Sequence, residues 1–130
     1  DALKVYVSAE WQKTFDANFD WGLLEIDYDF GNYLGWFGHH WRRWPLEDEL
    51  VNATGYPGDK GTYQWRAPGI ISTADDFLLE YNCDIRVGVS GAPVYDKNNV
   101  VLGINTYKAD EISGGVRITE ELYCFLNHFK

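Results

Sequence analysis

Apolar and polar residues alternate over residues 3–7 (Leu3-Lys4-Val5-Tyr6-Val7), the signature of a half-buried strand. A polar stretch follows, and residues 8–18 read as a surface loop. Residues 19–26 read as a second strand, with Asp20 near its start. Residues 27–38 are turn-rich, and residues 38–45 form an aromatic and basic knot, Gly38-His39-His40-Trp41-Arg42-Arg43-Trp44-Pro45. Residues 50–60 predict a short strand ending in a turn, because Pro57 and Gly58 supply turn dihedrals. Further strands are predicted over 62–66, 69–72, 77–83, 100–104, 104–107 and 115–118. One helix opens after Thr119, a natural N-cap, and carries Leu122, Phe125 and Leu126 as its apolar stripe. Many short strands, frequent turns and one terminal helix predict an all-β barrel or sandwich.

Composition narrows the function classes. At 130 residues the chain is one domain's worth, enough for a sizeable core. Aromatic residues make up 17%, and no apolar run reaches the roughly 18 residues of a membrane span. Net charge is −9, so nucleic acid and anionic membranes are not expected partners. The first residues lie in strand-like sequence and do not resemble a signal peptide, which suggests a processed product or a fragment. Cys83 and Cys124 are the only cysteines and are candidates for a disulfide, with each other or with another chain. Asn52-Ala53-Thr54 is a glycosylation sequon, meaningful only in a secreted chain. Both features lean towards an extracellular location. His39 and His40 have no Cys or carboxylate cluster to complete a tetrahedral set, so neither a metal nor a cofactor is expected.

The candidate chemistry sits in Gly88-Val89-Ser90-Gly91-Ala92-Pro93. A serine hydroxyl needs exposure and a base to become a nucleophile. Glycines on both sides permit a tight turn with positive φ that pushes Ser90 outward. The same turn aims the N–H groups of Gly88 and Ser90 towards a developing oxyanion. A plain Gly-rich hairpin with a solvated serine is the competing reading of this motif taken alone.

The order of the motifs carries more than any one of them. Asp20 stands before Trp-Gly-Leu-Leu, followed by Gly55-Tyr-Pro-Gly-Asp-Lys60, Tyr81-Asn-Cys-Asp84, the Ser90 turn, Gly103-Ile-Asn-Thr106 and Val116-Arg-Ile-Thr119 with its helix. This series resembles the V8-like glutamyl-endopeptidase branch of the chymotrypsin-fold serine proteases over nearly the whole chain. The resemblance implies a double β-barrel, with residues 1–38 giving the last strands of an N-terminal barrel and residues 39–130 a C-terminal barrel with its helix. It makes Ser90 the nucleophile, Gly88 and Ser90 the oxyanion hole, and Asp20 the carboxylate that orients a catalytic histidine. Asp16 is a weaker competitor for that last role. Residues Asn105, Thr106 and Tyr107 would run beside the substrate backbone, and Ile85 and Asn105 would line the pocket for the residue before the scissile bond. Glutamate-specific members carry a threonine and a histidine at those two places, so this chain departs at both. Asp84 is expected to be structural, and Arg86 either meets an acidic substrate group or is solvated.

The resemblance also implies a histidine upstream of Asp20, and this sequence has none there. His39, His40 and His128 follow Asp20 and stand outside the expected motif. The knot at residues 38–45 either packs on its own domain or forms a partner-binding patch. The expected arrangement is a secreted serine endopeptidase acting on peptide or protein substrates. It would be a heterodimer in which an N-terminal fragment of the same precursor supplies the missing strands and the histidine. The alternative is a catalytically inactive protease-like subunit that binds another protein.

Overall fold

The computed structural model describes residues 2–129. Alternation at the start of the chain produces β1 (Ala2–Val7), which pairs antiparallel with β2 (Gly22–Ile26), Val5 lying opposite Leu24 and Val7 opposite Gly22. Residues directly opposite share a face. One face therefore carries Val5, Val7, Leu24 and Ile26, all exposed, with Val5 at 63% and Leu24 at 62%. On the other face the Tyr6 hydroxyl donates to Glu25 Oε2 at 3.1 Å, and the Tyr6 ring meets Phe125 and Phe129 edge-on. A two-stranded ribbon is marginal by itself, and this one leans on the C-terminal segment through its aromatic side.

Residues 8–18 do not form the expected loop. Ser8 caps α1 (Ala9–Thr14), its Oγ accepting from the Trp11 N–H, and Phe15 at φ 53° ends it. The Asp16 carboxylate then accepts from the Asn18 N–H and starts a 3-10 turn, Ala17–Phe19. Six residues are too few to show an apolar stripe, and the caps organise this segment. A short helix, α2 (Gly31–Leu34), precedes β3 (Gly38–His39).

The rest of the chain closes a barrel. Its strands are β4 (Leu50–Gly55), β5 (Trp65–Ala74), β6 (Leu78–Tyr81), β7 (Pro93–Tyr95), β8 (Val100–Ala109) and β9 (Ile112–Arg117). They run β4-β5-β6-β9-β8-β7 and back to β4, every pairing antiparallel, while β3 adds to β8 in parallel. Closure removes the open edges that invite aggregation. The core is apolar, with Val51, Ala53, Ile71, Leu79, Tyr81, Cys83, Val94 and Leu102 buried. Residues 62–66 and 69–72, expected as two strands, belong to the single ten-residue β5 and its lead-in. Residues 67–68, left between the two expected strands, are continuous with both, and Gly69 meets a packing need. A Cβ there would lie 2.7 Å from Cys83 Sγ and 2.8 Å from the Cys83 amide nitrogen, where β5 passes from β4 to β6.

The terminal helix α3 (Glu120–Leu126) has the expected cap, Thr119 Oγ1 accepting from the Leu122 N–H at 3.1 Å, and buries Leu122 against the barrel. The 38–45 knot packs on its own domain. The buried Arg117 guanidinium donates to the carbonyls of Asp75 (2.7 Å), Arg42 (2.6 Å) and Trp44 (3.4 Å). Arg42 in turn pairs with Asp96 at 2.6 Å and Glu49 at 3.2 Å, and the rings of His39 and His40 rest against Tyr123.

The two cysteines are both free thiols in this chain and form no bond to each other. Cys83 is sealed in the barrel core, where burial pushes its thiol up to about 11, whereas Cys124 is exposed on α3. The sequon lies within β4, where Asn52 pairs with both neighbouring strands and the Thr54 hydroxyl bonds to Tyr95. Among the described residues no helix is long and apolar enough to cross a membrane.

Candidate active site

Two glycines shape the turn at the barrel's mouth. Gly88 has φ +99° and Gly91 φ +86°, a region that side-chain-bearing residues rarely adopt. A Cβ on Gly88 would also approach the Gly58 nitrogen to 3.0 Å. Between them Val89 turns into the core and Ser90 turns out to solvent. The Gly91 N–H donates to the Asn105 carbonyl at 2.8 Å and the Ala92 N–H to Val89 at 3.1 Å, which closes the turn before β7. Among the described residues the N–H groups of Gly88 and Ser90 donate no backbone hydrogen bond, so both are open to an incoming acceptor.

Ser90 borders a cleft of about 360 Å³. Its wall is made by Gly91 next to Ser90, by Asp20, Trp21 and Gly22, and by Ile104, Asn105 and Thr106 of β8. Folding thus brings the two residues read as nucleophile and orienting carboxylate onto one cleft, 70 positions apart in sequence. Trp21 and Gly22 are part of that wall, and their only advance signal is their position beside Asp20. A second depression of about 310 Å³ reaches Ser90 from the Thr54–Tyr56 side. The histidines are elsewhere: His39 and His40 lie against Tyr123, His128 Nδ1 sits 2.8 Å from the Cys124 carbonyl, and none lines the cleft.

Asp20 has no hydrogen-bond or ion-pair partner for its carboxylate among the described residues, and partial burial holds its carboxyl above the usual carboxylate range. The folded chain therefore binds this proton more tightly than the unfolded chain, and stability contributed by Asp20 is lost as pH rises through the carboxylate range. In the chain without a partner, Asp20→Asn is expected to melt higher than the parent near pH 7. The difference should shrink as pH falls below the ordinary aspartate range. Melting scans of both proteins from pH 3 to 7 check this; a parent chain that gains on the variant with rising pH would reveal a cation beside Asp20.

The substrate-facing residues divide. Asn105 and Thr106 line the cleft. Tyr107 is half-buried, its hydroxyl donating to Glu80 Oε1 at 3.1 Å and its ring lying where a Gly114 side chain would be. Ile85 does not line the Ser90 cleft. Only 3% exposed, it belongs to the barrel core, because a β-branched apolar side chain beside the closed sheet gains more from burial than from lining a wet groove. Asp84 is exposed and pairs with Arg86 at 3.3 Å and Lys108 at 3.9 Å, a structural arrangement that also occupies Arg86. Among the described residues no three His, Cys, Asp or Glu side chains are grouped as metal ligands.

No protein-family model matches the chain. It is 30% identical over 142 aligned positions to a glutamyl endopeptidase of Bacillus licheniformis, covering 99% of this chain and 44% of that protein. An extracellular metalloprotease of Bacillus subtilis is 29% identical, covering 87% of this chain and 38% of that one. A glutamyl endopeptidase of Staphylococcus aureus is 35% identical over 81 positions, covering 61% of this chain and 25% of that protein. The chain thus spans less than half the length of these relatives. A solved structure of a Glu endopeptidase in complex with MPD superposes with a TM-score of 0.90 at 26% identity, covering 99% of this chain and 63% of that one. Sequence and fold together place the chain in the V8-like branch of the chymotrypsin-fold proteases, with the glutamyl endopeptidases, whose C-terminal portion it matches.

Proposed function

We propose that this chain is the nucleophile-bearing part of a secreted serine endopeptidase, and that a separate N-terminal fragment of the same precursor supplies the catalytic histidine. The observation that carries the reading is the cleft shared by Ser90 and an unpaired Asp20. An imidazole placed there would accept a hydrogen bond from Ser90 and donate one to Asp20. Ser90 Oγ attacks the peptide carbonyl while the imidazole takes its proton, and the Gly88 and Ser90 N–H groups hold the oxyanion. The imidazolium, steadied by Asp20, passes the proton to the leaving amine. Water then attacks the acyl-enzyme by the same steps and releases the acid and Ser90. The exposed apolar face of β1 and β2 supports a heterodimer, because strands laid against Val5, Val7, Leu24 and Ile26 would bury it. By this reading residues 1–38 complete the partner's barrel and residues 39–130 form the second. The extracellular name of the Bacillus subtilis relative supports secretion.

The glutamate preference in the relatives' names is not carried over. Ile85 lies in the core, and the Asn105 amide is committed to internal hydrogen bonds.

The test is to treat the natively purified protein with a fluorophosphonate probe and to locate the label by mass spectrometry. Label on Ser90, together with a co-purifying chain that carries a histidine, is the expected result. The absence of all three histidines of this chain from the cleft favours one rival, an inactive subunit that binds another protein. A folded protein that takes up no probe would put that rival ahead.

A further inference from the structure

Both candidate oxyanion donors belong to peptide groups whose carbonyls are held from behind. A trans peptide is planar, with its C=O and N–H pointing in opposite directions, and the described chain has no cis bond. Fixing the carbonyl of one residue therefore fixes the direction of the next residue's N–H. The Val87 carbonyl, which shares a peptide with the Gly88 N–H, accepts from the Gly58 N–H at 2.8 Å. That anchor is backbone to backbone. The Val89 carbonyl, which shares a peptide with the Ser90 N–H, accepts from the Ala92 N–H at 3.1 Å and from Asn105 Nδ2 at 3.3 Å.

Asn105 is itself tightly placed. It is 3% exposed, its backbone N–H donates to the Ala92 carbonyl at 2.9 Å, and its carbonyl accepts from Gly91. Its Oδ1 accepts from the Tyr81 hydroxyl at 2.7 Å, which leaves Nδ2 as the group facing Val89. Tyr81 is fully buried in the core, where desolvation keeps its phenol protonated and donating throughout the working pH range.

We infer that Asn105, oriented by Tyr81, is a positioning residue that aims the Ser90 N–H into the oxyanion site. The inference rests on the endopeptidase reading and assigns Asn105 a task other than contact with the substrate side chain. A buried hydrogen-bonded pair rigidifies the turn only while every member is satisfied. Loss of the Nδ2 donor leaves the Val89 carbonyl with the Ala92 N–H alone and loosens the Val89–Ser90 peptide.

Asn105→Asp tests this in the assembled protein. Wherever the introduced carboxyl is ionised it has no proton to give Val89, so at the alkaline end of the profile kcat and the rate of Ser90 phosphonylation should fall by about tenfold or more, with KM within about twofold of the parent. As pH falls, the protonated carboxyl can donate to Val89 again, and the ratio of variant to parent rate should climb towards one. Tyr81→Phe, a milder change, should lower kcat in the same direction. Ser113→Ala removes another buried hydrogen bond, to the Cys83 carbonyl, next to Tyr81 on the neighbouring strand but outside the Tyr81–Asn105–Val89 chain of side-chain bonds, and should move the melting temperature but not the phosphonylation rate. An Asn105→Asp rate ratio that is flat with pH, or Tyr81→Phe affecting melting alone as Ser113→Ala does, would overturn the inference. Failure of the parent protein to react with the probe would instead count against the endopeptidase reading. Positioning is then read from hydrogen exchange at the Ser90 amide, where faster exchange in Asn105→Asp supports it and unchanged exchange overturns it.

Discussion

Ser90→Ala in the assembled protein is expected to lower kcat by a factor on the order of 10⁶ and to abolish fluorophosphonate labelling, while the melting temperature stays within error of the parent. The two halves of this expectation come from different observations. Activity depends on the one oxygen that forms the acyl bond, and no neighbouring hydroxyl on the cleft sits on a turn with two free N–H groups. Stability does not depend on that oxygen, because Ser90 is exposed and its hydroxyl makes no hydrogen bond among the described residues. Exposed substitutions of this kind stay within about 0.5 kcal/mol. The positive φ values that shape the turn belong to Gly88 and Gly91 and are untouched. Steady-state kinetics and a thermal melt on one preparation check both halves. Loss of activity accompanied by a large drop in melting temperature would mean that Ser90 holds the turn together and is not simply its reactive group. Retained activity would remove Ser90 from the mechanism.

Much of this site is legible in the sequence. A positive φ is a demand on one residue, so Gly88 and Gly91 advertise the turn locally, as Thr119 advertises the start of α3. Alternation reveals a strand wherever one face is wet and the other dry, as at β1, whereas the three-residue β7 is too short to show a period and β8 is one strand where two are expected. Properties that depend on distant partners were not legible. Asn105 reads as a polar residue facing a substrate until Tyr81, 24 positions away, and Val89, 16 away, are seen to consume its amide. Ile85 is expected in the pocket only through the resemblance, and its apolar side chain is found in the core. Gly69 stands at the start of an expected strand, and only the approach of Cys83 explains why a glycine is there. The short α1 has no hydrophobic period to show in the sequence, because its caps define it.

Arg42→Ala is expected to destabilise the chain by about 3–5 kcal/mol, the usual cost of stranding one member of a buried ion pair. The side chain of Asp96 is 4% exposed and that of Arg42 14%, and their contact is 2.6 Å. The carboxylate also accepts from the Asn98 and Val100 N–H groups, which shapes the turn from β7 into β8. Without Arg42, a negative charge remains inside with only those two amides to stabilise it, and Glu49 loses its partner at 3.2 Å. The damage extends to the 38–45 knot, whose other anchor is the Arg117 guanidinium bound to the carbonyls of Arg42 and Trp44. Exposed pairs behave differently. The Lys4–Glu25 contact at 3.8 Å is solvated on both sides, and Lys4→Ala should cost at most about 1 kcal/mol. Urea titrations of the two variants and the parent separate these cases. Adding Asp96→Asn to Arg42→Ala neutralises the stranded charge and should recover part of the loss, whereas additive losses would show that Arg42 stabilises through packing on Trp44 and not through its charge.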